Sequence, residues 1–222
     1  MQDKNAILAT LPFYGQLREE EKLRAQQLCT IRIFEKDALM YSPQQKCLGL
    51  IKVLSGRVRV TLQSDGREIT LYTLSEGDID ILSASCIINQ ISFEPVMMAE
   101  EKSEVLIFPV PLLSPLMRDN IYVRSFIHER LTERFSDAVF TLQQIVFKKM
   151  DQRLAGGLMA EYMLTGSTVL TITQEQLARR INSAREVVTR LLKGMEKEGL
   201  LKVSRGTIEI LDTRRLEALA EL

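Results

Sequence analysis

The sequence predicts an α+β protein: an antiparallel β-roll, then a long helix, then a small helical domain closed by a β-hairpin. Three observations carry this. Between residues 30 and 109, short runs rich in β-branched residues alternate with glycine-containing turns. From about 119 to 150 there is neither glycine nor proline, and apolar residues recur at helical spacing. After Gly166, two helix-start signals ten residues apart precede two short strand-like runs.

In chain order, a short helix is expected around 13–28, ahead of the roll. Residues 50–54, 58–62 and 69–72 read as strands, and Ser55-Gly56, Ser64-Asp65-Gly66 and Glu76-Gly77-Asp78 as the turns between them. In the long helix, Ile121, Phe126, Leu131, Phe135, Val139, Leu142 and Ile145 with Val146 fall near one seam. About thirty residues at 1.5 Å each make a rod of about 45 Å, too long for one small roll to cover. A second copy of the chain would hide the stripe, so a homodimer is expected.

A further helix is expected at about 151–164, ending at Thr165-Gly166-Ser167, with a short strand at 168–172. Thr173-Gln174-Glu175-Gln176 and Ser183-Ala184-Arg185-Glu186 each have a hydroxyl followed three residues later by Glu or Gln, the pattern of a capping box. They predict helices over 174–181 and 184–198, with Asn182-Ser183 as the turn and Gly199 as the left-handed stop. Residues 200–203 and 207–211 flank Ser204-Arg205-Gly206 as a hairpin. Helix, tight turn, helix, hairpin is the order of a winged helix-turn-helix.

On a helical wheel Val187, Val188, Leu191, Leu192 and Met195 share an arc of about 140°. Arg185, Glu186, Thr189, Arg190 and Lys193 fill an opposite arc of similar width. Such a face is what a recognition helix offers a major groove: arginine takes guanine O6 and N7 together, and glutamate accepts from cytosine N4. Candidate DNA contacts are therefore these five residues with Thr173, Ser183 and Arg205. The plain alternative is a solvated face on which Glu186 pairs with Arg190 four residues on.

Bulk composition fits this reading. The 222 residues include 29 Lys and Arg against 29 Asp and Glu, which argues against a non-specific polyanion binder. Basic charge is concentrated late: residues 167–206 hold 8 cations against 4 anions, whereas 1–110 hold 12 against 15. No apolar run nears the roughly 18 residues of a membrane span, and the Met1-Gln2-Asp3-Lys4 start has no secretion-signal core. A cytoplasmic protein without membrane partners is expected. Cys29, Cys47 and Cys86 are odd in number and form no Cys-x-x-Cys pair, so buried or free thiols are expected, with Cys86 a buried structural one among apolar neighbours.

The run Gln-Glu-Gln-Leu-Ala-Arg-Arg-Ile at 174–181, then Ala-Arg-Glu-Val-Val-Thr-Arg-Leu-Leu at 184–192, behind a β-rich front and a long helix, resembles the Crp/Fnr family of bacterial transcription regulators. The resemblance covers essentially the whole chain. It implies a cyclic-nucleotide-binding-like β-roll sensor (1–118), a dimerisation helix (119–148) and a winged helix-turn-helix (149–222). It also implies a dimer on a palindromic operator, swinging about a hinge near 148–151, and contact with RNA polymerase if the chain activates. The family's Arg-Glu-x-x-x-Arg base contacts map onto Arg185, Glu186 and Arg190, with Ala184 where the family has serine.

The sensor departs from the cyclic-AMP-binding pattern. Gly77-Asp78 is kept, but Ile81-Leu82-Ser83-Ala84 follows, and Phe93-Glu94 stands where an Arg-Ser pair would hold phosphate. This argues against cyclic AMP. Three scattered cysteines do not suit an iron–sulfur cluster, and the single histidine, His128, does not suit haem. No cofactor, metal or catalytic residue is expected. The pocket expected from Leu82, Ser83, Ser85, Cys86 and Phe93 suits a small organic effector; an effector-free or thiol-redox-responsive regulator is the alternative. An enzyme on a cupin-like roll would need clustered histidines, and a helix-turn-helix that only packs against protein is the remaining rival.

Overall fold

Alternating side chains build the first half of the chain into two facing sheets. In the computed structural model, which describes residues 3–64, 67–88 and 93–221, the chain divides into two units, Met1–Val139 and Phe140–Leu222. The first contains β1 (Thr30–Phe34), β2 (Leu39–Tyr41), β3 (Gly49–Ser55), β4 (Val58–Ser64), β5 (Arg67–Leu74), β6 (Ile79–Asp80), β7 (Pro95–Ala99) and β8 (Ser103–Pro109). All pairings are antiparallel, in the orders β1-β8-β3-β6 and β2-β7-β4-β5. The three strands expected from sequence lie within β3, β4 and β5; of the turn at 64–66, Asp65 and Gly66 fall outside the described residues.

Ile51, Val53, Val105 and Ile107 point into the roll, against Val58, Val60 and Met97 of the other sheet. Leu50, Leu106 and Phe108 point the opposite way, into a second core under the helices. With both faces buried, 105–108 is a continuous apolar run rather than an alternation. Gly49 is required at the start of β3: its φ is +119°, and a side-chain carbon there would overlap the Phe108 carbonyl oxygen.

In place of the single helix expected over 13–28 stand a 3-10 turn at Tyr14–Gln16 and α2 (Glu19–Leu28), and α1 (Lys4–Ala9) precedes them. Phe13 is placed edge-on to Phe108, with ring centroids 5.7 Å apart, and 5.2 Å from Phe126. The long helix is also shorter than expected. α3 (Val110–Asp119) carries Pro111 in its first turn and Pro115 inside, and α4 (Ile121–Phe147) restarts after Asn120, whose Oδ1 accepts from the backbone N–H groups of Tyr122 and Val123. Early in α4, Val123, Phe126 and Ile127 are buried. Later apolar residues are exposed, Phe135 at 71% and Val146 at 60%.

The cysteines correct the sequence reading. Cys47 and Cys86 are joined by a disulfide, their Cα atoms 6.4 Å apart, and Cys86 is exposed rather than buried. Their segments meet because Ser83 ties them: its carbonyl accepts from Leu48 N–H at 3.0 Å, and its hydroxyl donates to the Gly49 carbonyl at 2.6 Å. Cys29 is the buried thiol, with its pKa pushed up to about 12 by burial.

The second unit follows the end of α4 with α5 (Met150–Thr165), β9 (Val169–Leu170), α6 (Gln174–Arg180), α7 (Arg185–Lys197), β10 (Leu201–Ser204), β11 (Thr207–Ile210) and α8 (Thr213–Glu221). The strands form one small sheet, β10-β11-β9. Gly166 and Gly199 take the left-handed conformation at the ends of α5 and α7, with φ of 66° and 71°. Helix α8 is an addition to the elements expected from sequence; its Leu216 is fully buried in the core formed by Leu158, Leu177, Leu192 and Leu201.

Candidate nucleic-acid interface

Local capping sets the geometry of the helix-turn-helix. Thr173 Oγ1 accepts from Gln176 N–H at 3.1 Å, and Gln176 Oε1 accepts from Thr173 N–H at 2.9 Å, so the first capping box is formed. The second is not. Asn182 takes a left-handed φ of 53°, Ser183 stays in the turn with its N–H on the Ala178 carbonyl, and the N-cap position passes to Ala184, which has no oxygen to offer. Ala184 already has the extended backbone of an N-cap, φ −81° and ψ 144°. Ala184→Ser is therefore expected to stabilise the second unit by about 0.5–2 kcal/mol, read by urea unfolding.

Two clamps from α5 hold the end of α6. The Arg153 guanidinium donates to the carbonyls of Ile181 and Asn182, the latter at 3.0 Å, and Glu161 pairs with Arg180 in a largely buried contact. Gly157 permits the close approach, since a side-chain carbon there would lie 2.8 Å from Ile181 Cγ2.

On α7, Val188, Leu192 and Met195 are buried, while Arg185, Glu186, Arg190 and Lys193 are exposed. Among the described residues none of these four makes an ion pair, so the Glu186–Arg190 pairing that would give the face a purely local reason is absent. Thr189 is half-buried, its Oγ1 2.6 Å from Gln174 Oε1 and 2.8 Å from the Arg185 carbonyl, and it ties α7 to α6. Thr173 is exposed at the start of α6, Ser183 is half-buried in the turn, and Arg205 is exposed at the tip between β10 and β11.

The first unit has a cavity of about 650 Å³ beside the 3-10 segment Leu82–Ile87. Of the expected pocket residues, Ser85, Cys86 and Phe93 line it. Leu82 and Ser83 do not: Leu82 packs into the roll core, and Ser83 is buried on Gly49. Tyr41, Lys46 and Cys47 line it too and escape sequence reasoning, because the β2–β3 connection carries them from some forty residues upstream. Tyr41 Oη lies 3.0 Å from Ser85 Oγ.

Beneath that segment lies a buried polar network. Asp80 accepts from Leu82 N–H at 2.8 Å and from the Tyr72 hydroxyl at 2.9 Å. Arg134 of α4 approaches the same carboxylate oxygen as the Tyr72 hydroxyl, 3.8 Å away, with its guanidinium carbon 4.7 Å from the Tyr72 ring centre. Burial raises the Asp80 pKa, ahead of the lowering effect of Arg134.

Residues 152–219 match the Crp-like helix-turn-helix domain. A solved structure of a Crp/Fnr transcriptional regulator from Eubacterium rectale ATCC 33656 is 37% identical, covers 95% of this chain and 98% of its own, and superposes with a TM-score of 0.88. This chain belongs to the Crp/Fnr family. As a Crp/Fnr protein it is a transcription regulator with a helix-turn-helix DNA-binding domain, and the family consists of regulators, not enzymes. Its architecture of antiparallel sheets, long helix and C-terminal helix-turn-helix is the Crp/Fnr fold expected from the sequence. Among curated Crp/Fnr relatives, the transcriptional regulator SdrP of Thermus thermophilus is 26% identical over 179 residues, 77% of this chain and 83% of that protein. The cyclic AMP receptor protein of the same organism is 24% identical over 211 residues, 94% and 96% of the two chains. Among the described residues no helix is long and apolar enough to cross a membrane.

Proposed function

We propose that this Crp/Fnr-family chain binds a palindromic operator as a homodimer, one α7 per half-site, and responds to a small organic molecule held in the first unit. The outer face of α7 carries the DNA reading. Arg185 and Glu186 open the helix and Arg190 follows on the same side, the side-chain types that read guanine and cytosine edges in a major groove. Lys193, Thr173, Ser183 and Arg205 are suited to phosphates, which fix register without reading sequence.

Pairing is supported by α4. Phe135, Val139, Leu142 and Val146 follow steps of four, three and four, and all are exposed in the single chain. That is the spacing of a coiled-coil seam. Two copies must then present their α7 helices one helical turn, about 34 Å, apart.

The effector reading rests on the cavity, whose size suits small ligands. Phe93, Pro95, Val110 and Pro111 supply an apolar wall and Ser85 a hydroxyl. The cation it offers, Lys46, is balanced by Glu94, an arrangement poor for a phosphate. A ligand that moves the 3-10 segment acts on Asp80 through Leu82, and so on Arg134 of α4. The response is a shift between two populations, with residues 148 and 149, between α4 and α5, as the hinge.

Selection from a random duplex library tests the DNA reading. Enrichment of a palindrome with half-sites one turn apart is the expected result; no enrichment, with or without a small-molecule extract of cells, would remove it. A thermal-shift screen tests the effector. Cyclic nucleotides alone raising the melting temperature would overturn the organic-effector reading.

A further inference from the structure

We propose that Cys47 and Cys86 are a reversible thiol–disulfide site that locks or frees one wall of the cavity, with a low-molecular-weight thiol–disulfide couple as co-reactant. Its output rests on the DNA reading above. The two residues are 39 apart in sequence, on segments that the fold brings together, and their Cα separation of 6.4 Å permits a bridge. Cys47 belongs to the β2–β3 connection, which has no strand or helix between Tyr41 and Gly49; Cys86 belongs to the 3-10 segment. Both line the cavity.

Exposure and surroundings distinguish this pair from a structural bridge. Cys86 is an exposed residue on the cavity wall, where a small thiol can approach it. Lys46 precedes Cys47 on the same wall, and Tyr41 Oη lies 4.0 Å from Cys47 Sγ, so this sulfur has a polar neighbour rather than an apolar core around it. Cys29 is the contrast: buried in the apolar helix-side core and away from the cavity. A protein that works on DNA also lives among thiol buffers, where a disulfide is more often transient than structural.

The chemistry is a two-step exchange. The Cys86 thiolate attacks one sulfur of a small disulfide, forming a mixed disulfide and expelling one small thiolate. The Cys47 thiolate then attacks Cys86 Sγ and expels the second. Two protein thiols are oxidised to one disulfide, the small disulfide is reduced to two thiols, and the two protons pass to solvent or the departing thiolates. Closed, the bridge pins the β2–β3 connection to the segment that leads through Leu82 to Asp80. Open, that connection keeps the Leu48 N–H bond to Ser83 and gains freedom at Cys47.

The test uses the full-length chain in glutathione buffers from strongly reducing to strongly oxidising. Each sample is alkylated and read by mass for the bridged Cys47–Cys86 peptides, then titrated onto the duplex obtained by selection. The bridged fraction is expected to pass from almost none to almost complete within the series. Duplex affinity should change at least about fivefold with it; Cys86→Ser should hold one affinity throughout, and Cys47→Ser should accumulate the mixed disulfide on Cys86 without the bridge. Cys47→Ala and Cys86→Ala serve where a serine variant melts early. A bridge that never opens, never forms, or cycles without moving duplex affinity overturns the proposal. If wild type and every variant ignore all duplexes, the DNA reading falls, and the proposed output with it. The mass series needs no DNA and still decides whether the pair cycles.

Discussion

Arg185→Ala is expected to weaken binding to the selected operator by about 1–3 kcal/mol, roughly 5- to 150-fold, and to relax the preference at one base position of each half-site. Arg185 is exposed in the first turn of α7 and makes no ion pair among the described residues, so its loss should leave the melting temperature unchanged. Lys193→Ala makes the complementary case. It should weaken binding to every sequence alike and lower the salt slope by about one for each phosphate that goes unneutralised. Anisotropy titrations on the operator and its single-base variants, at several salt concentrations, separate the two. Equal losses with unchanged base preference would contradict the assignment of α7 as the reading helix.

Asp80→Ala is expected to destabilise the first unit by about 3 kcal/mol, the low end of the range for breaking a buried ion pair. The Tyr72 hydroxyl and Leu82 N–H lose their acceptor, while Arg134 keeps Asp137 at 3.0 Å, which limits the damage. Asp80→Asn keeps an acceptor and removes the charge, and its signature lies in pH. Burial holds the Asp80 pKa above the ordinary carboxylate range, so the folded chain binds that proton more tightly than the unfolded one. The stability this confers is complete below the ordinary carboxylate range and is lost as pH rises through the raised folded value. Urea unfolding across that window should therefore show wild type losing ground to Asp80→Asn as pH increases. A difference that is flat with pH would mean that Arg134 offsets the burial.

The features legible in the sequence are those that local chemistry decides. Thr173 and Gln176 cap each other within one turn, and the opposed faces of α7 follow from spacing alone, so the helix-turn-helix is readable to within a residue or two. The second capping box fails for a local reason with a tertiary cause. Arg153, from α5, holds the carbonyls of Ile181 and Asn182, Asn182 turns left-handed, and Ser183 is kept short of the helix. The start of α4 at Ile121 lies within two residues of the start expected near 119; what spacing does not show is α3, because Pro111 and Pro115 interrupt its run. The cavity is half legible. Ser85, Cys86 and Phe93 lie close to the altered phosphate-binding positions, but Tyr41, Lys46 and Cys47 arrive through the pairing of β2 with β7 and of β3 with β8, which no local pattern encodes. The Cys47–Cys86 bridge is hidden for the same reason.

The exposed row on α4 has a consequence for gene dosage. A chain that must find its twin before it grips an operator occupies that operator in proportion to the square of its copy number, as long as most chains are single. On the proposed pairing, the apolar character of Phe135, Val139, Leu142 and Val146 would set the cellular abundance at which the regulator begins to act. Exchanges such as Phe135→Leu would move that threshold while leaving both the proposed base-reading side chains and the cavity untouched.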